Sequence, residues 1–118
     1  MAKRILIVDD SPLIHNLIKR AMDKSGNIVC GDAKNGKEGV DLYKQLLPDV
    51  TFMDVNMPVM DGLEAVKKIR QINLNAVIVM LTAVGDEETI ELAKRLRVNV
   101  FLNKPFDDYK LISTLVNL

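Results

Sequence analysis

Five side chains in this sequence could do chemistry together: Asp9, Asp10, Asp54, Thr82 and Lys104. Asp9 and Asp10 follow the apolar run Ile5-Leu6-Ile7-Val8, and Asp54 follows Val50-Thr51-Phe52-Met53. Thr82 follows a run ending in Leu81, and Lys104 stands just beyond Val98 to Leu102. Three carboxylates brought to one place repel one another and disfavour their ionised forms. Lys104 offsets one charge, and a hard divalent cation is the natural second. Carboxylate oxygens suit magnesium, which takes few protein ligands and keeps positions open for water and phosphate oxygens. A carboxylate can also act as a nucleophile and form an acyl phosphate. The charge on a phosphoryl group in flight can be met by a metal, an ammonium and a hydroxyl. Singly, each residue has a plainer use. Asp9 and Asp10 suit a helix N-terminus, Thr82 suits a turn, and Lys104 suits a solvated surface.

The elements that must position these residues alternate along the chain. Ile5–Val8 reads as a strand buried on both faces. Asp10 or Ser11 then caps a helix with Pro12 in its first turn and Leu13, Ile14, Leu17, Ile18, Ala21 and Met22 at helical spacing. Ser25-Gly26-Asn27 stops it. Ile28-Val29-Cys30 is a short second strand, and Asn35-Gly36 opens a second helix with Val40, Tyr43 and Leu47 inside. Val50 to Met53 is a third strand. A loop with Pro58 and Gly62 leads to a helix carrying Leu63, Val66 and Ile69. Ala76 to Leu81 is a fourth strand, Asp86 to Arg97 a fourth helix with acids first and bases last, and Val98 to Leu102 a fifth strand. Asp107 or Asp108 caps a last helix with Leu111, Ile112, Leu115 and Val116 inside. Alternating strands and helices predict a parallel sheet covered on both faces. In such sheets ligands sit outside the carboxyl ends of the strands, where the five residues fall.

Composition narrows the class. A chain of 118 residues with 48% hydrophobic and 27% charged content fits one globular domain, residues 1–118. Sixteen basic residues balance sixteen acidic ones, so no charge excess invites nucleic acid or an anionic membrane. No apolar run approaches the ~20 residues of a membrane span. The N-terminus lacks the long apolar stretch and cleavage site of a signal peptide. The lone cysteine, Cys30, reads as a buried inert thiol and fits a reducing, cytoplasmic setting. His15, the only histidine, lies off the apolar stripe of its helix and reads as a surface residue without a second metal ligand.

The motifs Val8-Asp9-Asp10-Ser11, Met53-Asp54-Val55-Asn56-Met57-Pro58, Met60-Asp61-Gly62, Leu81-Thr82-Ala83 and Lys104-Pro105-Phe106 occur in this order at the strand ends. Together they resemble the receiver domains of two-component response regulators, most closely the single-domain CheY-like type, over the whole chain. The resemblance implies a flavodoxin-like (βα)5 doubly wound sheet of strand order 2-1-3-4-5, an arrangement for which CheY is a standing example. It implies that Asp54 accepts a phosphoryl group from a phosphohistidine on a sensor kinase or phosphotransfer protein, or from a small acyl phosphate. Magnesium would be bound by the carboxylates of Asp10 and Asp54, by Asp9 mainly through water, and by the backbone carbonyl of Asn56. Thr82 and Lys104 would contact the phosphoryl oxygens. Phe101 stands where the family has its switch aromatic, although a strand Phe also suits a core. The peptide before Pro105 would be cis. An output protein would bind the face formed by the fourth helix, fifth strand and fifth helix. The chain would catalyse only its own phosphorylation and dephosphorylation, and an effector domain could follow Leu118 in a longer regulator.

Two departures from the family pattern carry expectations. Arg97-Val98 stands where relatives commonly have Gly-Ala, so Arg97 is expected to avoid the left-handed conformation, with Asn99 as the alternative. Asn56 and Val84 occupy the positions that flank the path of a hydrolytic water. Asn56 could hydrogen-bond that water, while Val84 could only crowd or dry its path. Two rivals fit less well. An aspartyl-phosphate phosphatase wants a second acid two residues after its nucleophile, where Asp9 is followed by Ser11 and Asp54 by Asn56. A flavodoxin-like cofactor binder wants a phosphate-cradling loop, where Asp9-Asp10-Ser11-Pro12 is acidic.

Overall fold

The computed structural model describes residues 2–118. Strands β1 (Arg4–Val8), β2 (Ile28–Ala33), β3 (Val50–Asp54), β4 (Ile78–Thr82) and β5 (Val100–Asn103) alternate with helices. The helices are α1 (Pro12–Ser25), α2 (Gly36–Leu46), α3 (Gly62–Ile72), α4 (Glu87–Arg95) and α5 (Asp108–Val116). All strand pairs are parallel and the order is β2-β1-β3-β4-β5, the flavodoxin-like arrangement expected. Every residue of β3 and β4 is buried, which is why these segments read as apolar runs and not as alternation. Successive residues serve opposite faces. Ile5 and Ile7 join Phe52, Val79 and Leu81 beneath α1 and α5. Leu6 and Val8 join Met53, Ile78 and Met80 beneath α2, α3 and α4.

Helix starts follow the capping chemistry of the sequence. Ser11 accepts from the N–H of Ile14, Asn35 from Glu38, Asp61 from Glu64 and Asp107 from Lys110. Gly26, at φ 75°, ends α1. Helix α4 differs: Asp86 precedes it without a side-chain capping bond.

Several expected core positions lie outside. Leu13 is 73% exposed, Leu47 59% and Val116 76%. Leu47 falls past the end of α2 at φ 44°, so the helical spacing that would turn it inward has stopped. Leu13 and Val116 belong to the terminal turns of α1 and α5. Strand β2 extends beyond Cys30 to Ala33, and β5 begins at Val100 and not at Val98. Cys30 is half-buried, its thiol directed at the Ile5 carbonyl. Among the described residues no helix is long and apolar enough to cross a membrane.

The connection from α4 to β5 corrects a further expectation. Arg97 does adopt the left-handed conformation, at φ 60°, and Asn99 does not. Such a residue costs about 1 kcal/mol. The offset comes from Arg70 on α3, which is buried and reaches across to this turn. Its guanidinium donates to the carbonyls of Leu96 at 2.8 Å, Arg97 at 2.7 Å and Ala76 at 2.6 Å. Asn99 is retained elsewhere: its side-chain oxygen accepts from the Ile78 N–H at 2.8 Å, at the start of β4. Burial pulls the Arg70 guanidinium below its ordinary range, yet it has no carboxylate partner among the described residues. Carbonyl dipoles alone balance it. Replacing Arg70 by Met keeps the aliphatic bulk but orphans these carbonyls. The substitution should cost about 3 kcal/mol, read as a lower urea midpoint with an unchanged m-value. A loss below about 1 kcal/mol would mean that water replaces the guanidinium.

Candidate functional site

The order of strands decides which residues meet. Strands β1 and β3 are neighbours at the centre of the sheet, so Asp9 and Asp54 emerge side by side at its carboxyl edge. Carboxylate oxygens of Asp9, Asp10 and Asp54 lie within 4.8 Å of one another. Lys104 arrives from the end of β5, two strands away. Its Nζ donates to Asp9 Oδ2 at 3.0 Å and to Asp54 Oδ1 at 2.9 Å. The peptide between Lys104 and Pro105 is cis, as expected.

The electrostatics are unbalanced. Asp9 is fully buried, Asp54 is 6% exposed and Asp10 faces solvent. Burial pushes the Asp54 carboxyl above the usual carboxylate range; the Lys104 bond pulls the other way, and the charges of Asp9 and Asp10 push up again. For Lys104, burial opposes the charge, but its bonds to Asp54 and Asp9 outweigh burial and raise it above its ordinary value. The two directions agree physically, because one cation faces two buried anions and cannot neutralise both. Asp9 Oδ1 already accepts from the Ser11 N–H at 2.8 Å. Asp54 Oδ2 and both oxygens of Asp10 have no hydrogen-bond partner among the described residues, which leaves oxygen ligands facing the gap. That donor set fits a hard divalent cation.

Local backbone shapes the pocket. An added Cβ on Gly62 would lie 2.0 Å from the Asp54 carbonyl oxygen, so only glycine lets α3 begin against the end of β3. Between them, Val59 stands at φ 68° and 79% exposed. The turn it forms brings the Met60 N–H to the Pro58 carbonyl at 2.7 Å. A branched residue at positive φ costs about 1 kcal/mol or more, and nothing in the sequence pattern announces it.

The other expected site residues stand nearby but are otherwise engaged. Thr82 is buried, and its Oγ1 donates to Asn103 Oδ1 at 2.8 Å, toward β5. Phe101 is half-buried against the core on the α2–α4 side. The Asn56 carboxamide donates to Asp86 Oδ1 at 3.3 Å. Val84 is fully exposed. His15 is a correction: it is buried, and its Nε2 bonds the backbone carbonyl of Asp9. The ring folds beneath the β1–α1 turn, a direction that the apolar stripe does not encode. Asn103 and Asp86, which hold Thr82 and Asn56, were not expected at the site: Asn103 is one polar residue at the end of β5, and Asp86 was read only as the start of the fourth helix.

Comparison with known proteins agrees with this geometry. The profile of the Response regulator receiver domain matches residues 5–116. The chemotaxis protein CheY of Thermotoga maritima is 38% identical over 115 residues, covering 98% of this chain and 96% of that protein. The chemotaxis response regulator CheY4 of Vibrio cholerae superposes with a TM-score of 0.89 at 32% identity, over 99% of this chain and 98% of that one. A chain from the CheX-CheY-BeF3-Mg2+ complex of Borrelia burgdorferi superposes with a TM-score of 0.91 at 28% identity, over 97% and 87%. With its acidic cluster and paired lysine at the carboxyl edge of a 2-1-3-4-5 sheet, the chain belongs to the response regulator receiver domain family, the phosphorylation switches of two-component signalling.

Proposed function

We propose that Asp54 is the phosphoryl acceptor of this receiver, and that the observation carrying the reading is the junction of Asp54 with Asp9, Asp10 and Lys104 at one strand edge. An Asp54 carboxylate oxygen attacks the phosphorus of a sensor-kinase phosphohistidine, a phosphotransfer protein or a small acyl phosphate. The O–P bond forms, the P–N or P–O bond of the donor breaks, and the leaving group keeps its electron pair. Asp10, Asp54 and the Asn56 carbonyl would hold magnesium, with Asp9 acting mainly through water, and the ion would supply positive charge to offset that of the transferred group. Lys104 is already on Asp54 and moves only to an added phosphoryl oxygen. Thr82 exchanges Asn103 for another such oxygen. The new charge thereby draws the end of β4 toward Asp54 and releases its tie to β5. Phe101, on β5, is the aromatic that carries the change to an output protein docked on α4, β5 and α5. A cytoplasmic setting suits these partners, and neither nucleic acid nor membrane is required. Water returns Asp54 to its free carboxylate, so the chain turns over only its own phosphoryl group.

Three outcomes follow. Incubation with acetyl phosphate and magnesium should add one phosphoryl group to the intact mass. Asp54→Asn, or a chelator, should abolish the gain; an Asp54→Asn protein that still gains it would place the acceptor elsewhere.

Millimolar magnesium should raise the thermal midpoint by several degrees, because it binds the assembled acids and not the dispersed ones of the unfolded chain. Asp10→Ala should remove that rise. Persistence of the rise in the variant would move the cation off the cluster.

Without metal, the raised Asp54 carboxyl makes its ionisation a cost to the fold. The group binds its proton more tightly folded than unfolded, so its contribution is most favourable at low pH and is lost as pH rises through the folded value. Asp54→Asn should therefore melt about 4 °C higher than the parent at neutral pH, roughly the effect of 1 kcal/mol in a domain of this size. The gap should close below the ordinary carboxylate range. A variant less stable at neutral pH would show that the Lys104 pair outweighs the burial cost.

A further inference from the structure

Asp86 is a buried carboxylate, 8% exposed, that neither pairs with a cation nor caps its helix. The other four helices all use the residue at this position to cap. Asp86 is turned back instead. Gly85, at φ 99°, permits the reversal. One Asp86 oxygen accepts from the Ala83 N–H at 2.7 Å, and the other accepts from the Asn56 carboxamide at 3.3 Å. The bond spans thirty residues and ties the β3–α3 loop to the β4–α4 loop.

Asn56 follows Asp54 by two residues, with Val55 between them 3% exposed. Asn56 lies just past the end of β3, in the loop that follows Asp54 at the carboxyl edge of the sheet. The Asn56 carboxamide is therefore the polar group that could orient a water attacking phosphorus on Asp54. In that step the water oxygen bonds to phosphorus and the P–O bond to Asp54 breaks. The electron pair returns to the carboxylate, and the proton leaves on inorganic phosphate. The bond to Asp86 takes one Asn56 N–H and turns the carboxamide toward the β4–α4 loop.

We propose that Asp86 is a positioning residue that holds Asn56 away from the hydrolytic water and so lengthens the life of the phosphorylated state. The proposal rests on Asp54 being the acceptor. The test is the decay of phosphorylated protein after the donor is removed, at fixed magnesium. Asp86→Ser puts a favourable capping residue at this position and is too short to reach Asn56. It should speed decay about two- to tenfold, the effect of freeing one hydrogen bond. Made in an Asn56→Ala background, the same change should have no effect, whereas a merely disordered loop would alter both backgrounds alike. Asp86→Ala carries the same expectation and serves if the serine variant does not fold. Unchanged or slower decay, or equal acceleration without Asn56, overturns the proposal while leaving Asp54 as acceptor. A parent protein that takes up no phosphoryl group on Asp54 overturns both.

Discussion

Asp9 and Asp54 are buried side by side around a single ammonium, and the architecture depends on how that charge is managed. Asp9 is fully buried and Asp54 nearly so, so water cannot disperse their charge. Lys104 bridges the pair and leaves one negative charge over, before Asp10 is counted. A fold seeking only stability would replace such a cluster by apolar residues. Its retention at the end of the two central strands is explained by the cation and phosphoryl chemistry it permits. On the proposed reading the same imbalance would give the switch its drive, since a further charge on Asp54 would press its neighbours to rearrange.

The parts of this structure legible in the sequence were those written as repeating patterns. Continuous apolar runs marked β3 and β4 because both faces of those strands are covered. Ser11, Asn35 and Asp107 marked helix starts because capping is a local bond between residues three apart. The acids and the lysine stood out because each follows a strand, and the sheet order then gathers them. What stayed hidden depends on bonds between distant segments. Arg70 looks like an ordinary helix arginine until its guanidinium is seen to cross to Leu96 and Arg97. Once it does, a non-glycine residue becomes tolerable at φ 60°. His15 failed for a related reason: its partner is a backbone carbonyl, and backbone acceptors have no signature in a pattern of side chains. Leu13, Leu47 and Val116 mislead in the opposite sense: helical spacing on paper does not show that a residue lies in a terminal turn or past the end of its helix.

The two ends of α4 are held differently, and this bears on how a change at Asp54 spreads. The C-terminal end is fixed by the Arg70 guanidinium, through charge-assisted bonds to several carbonyls in a buried setting. The N-terminal end hangs on the Asp86 bonds to Ala83 and Asn56. Along the helix, only Ala93 is buried, so α4 has little apolar packing to lose when it moves. Elements with few buried contacts open at the low end of the stability range.

With Asp54 as the proposed acceptor, the pocket-facing ties of this region are also mutually exclusive with the proposed phosphorylated arrangement. Thr82 cannot donate its one hydroxyl proton to Asn103 and to a phosphoryl oxygen together. Drawing Thr82 toward Asp54 therefore breaks its tie to β5, and Ala83, the next residue, moves with it. Ala83 is in turn bonded to Asp86, so strain passes to the start of α4 and to the carboxamide of Asn56 by way of one carboxylate. The far end, anchored by Arg70, stays behind. On the proposed reading, a charge added at Asp54 would reach the start of α4 and the surroundings of Asn56 while the C-terminal turn keeps its Arg70 bonds.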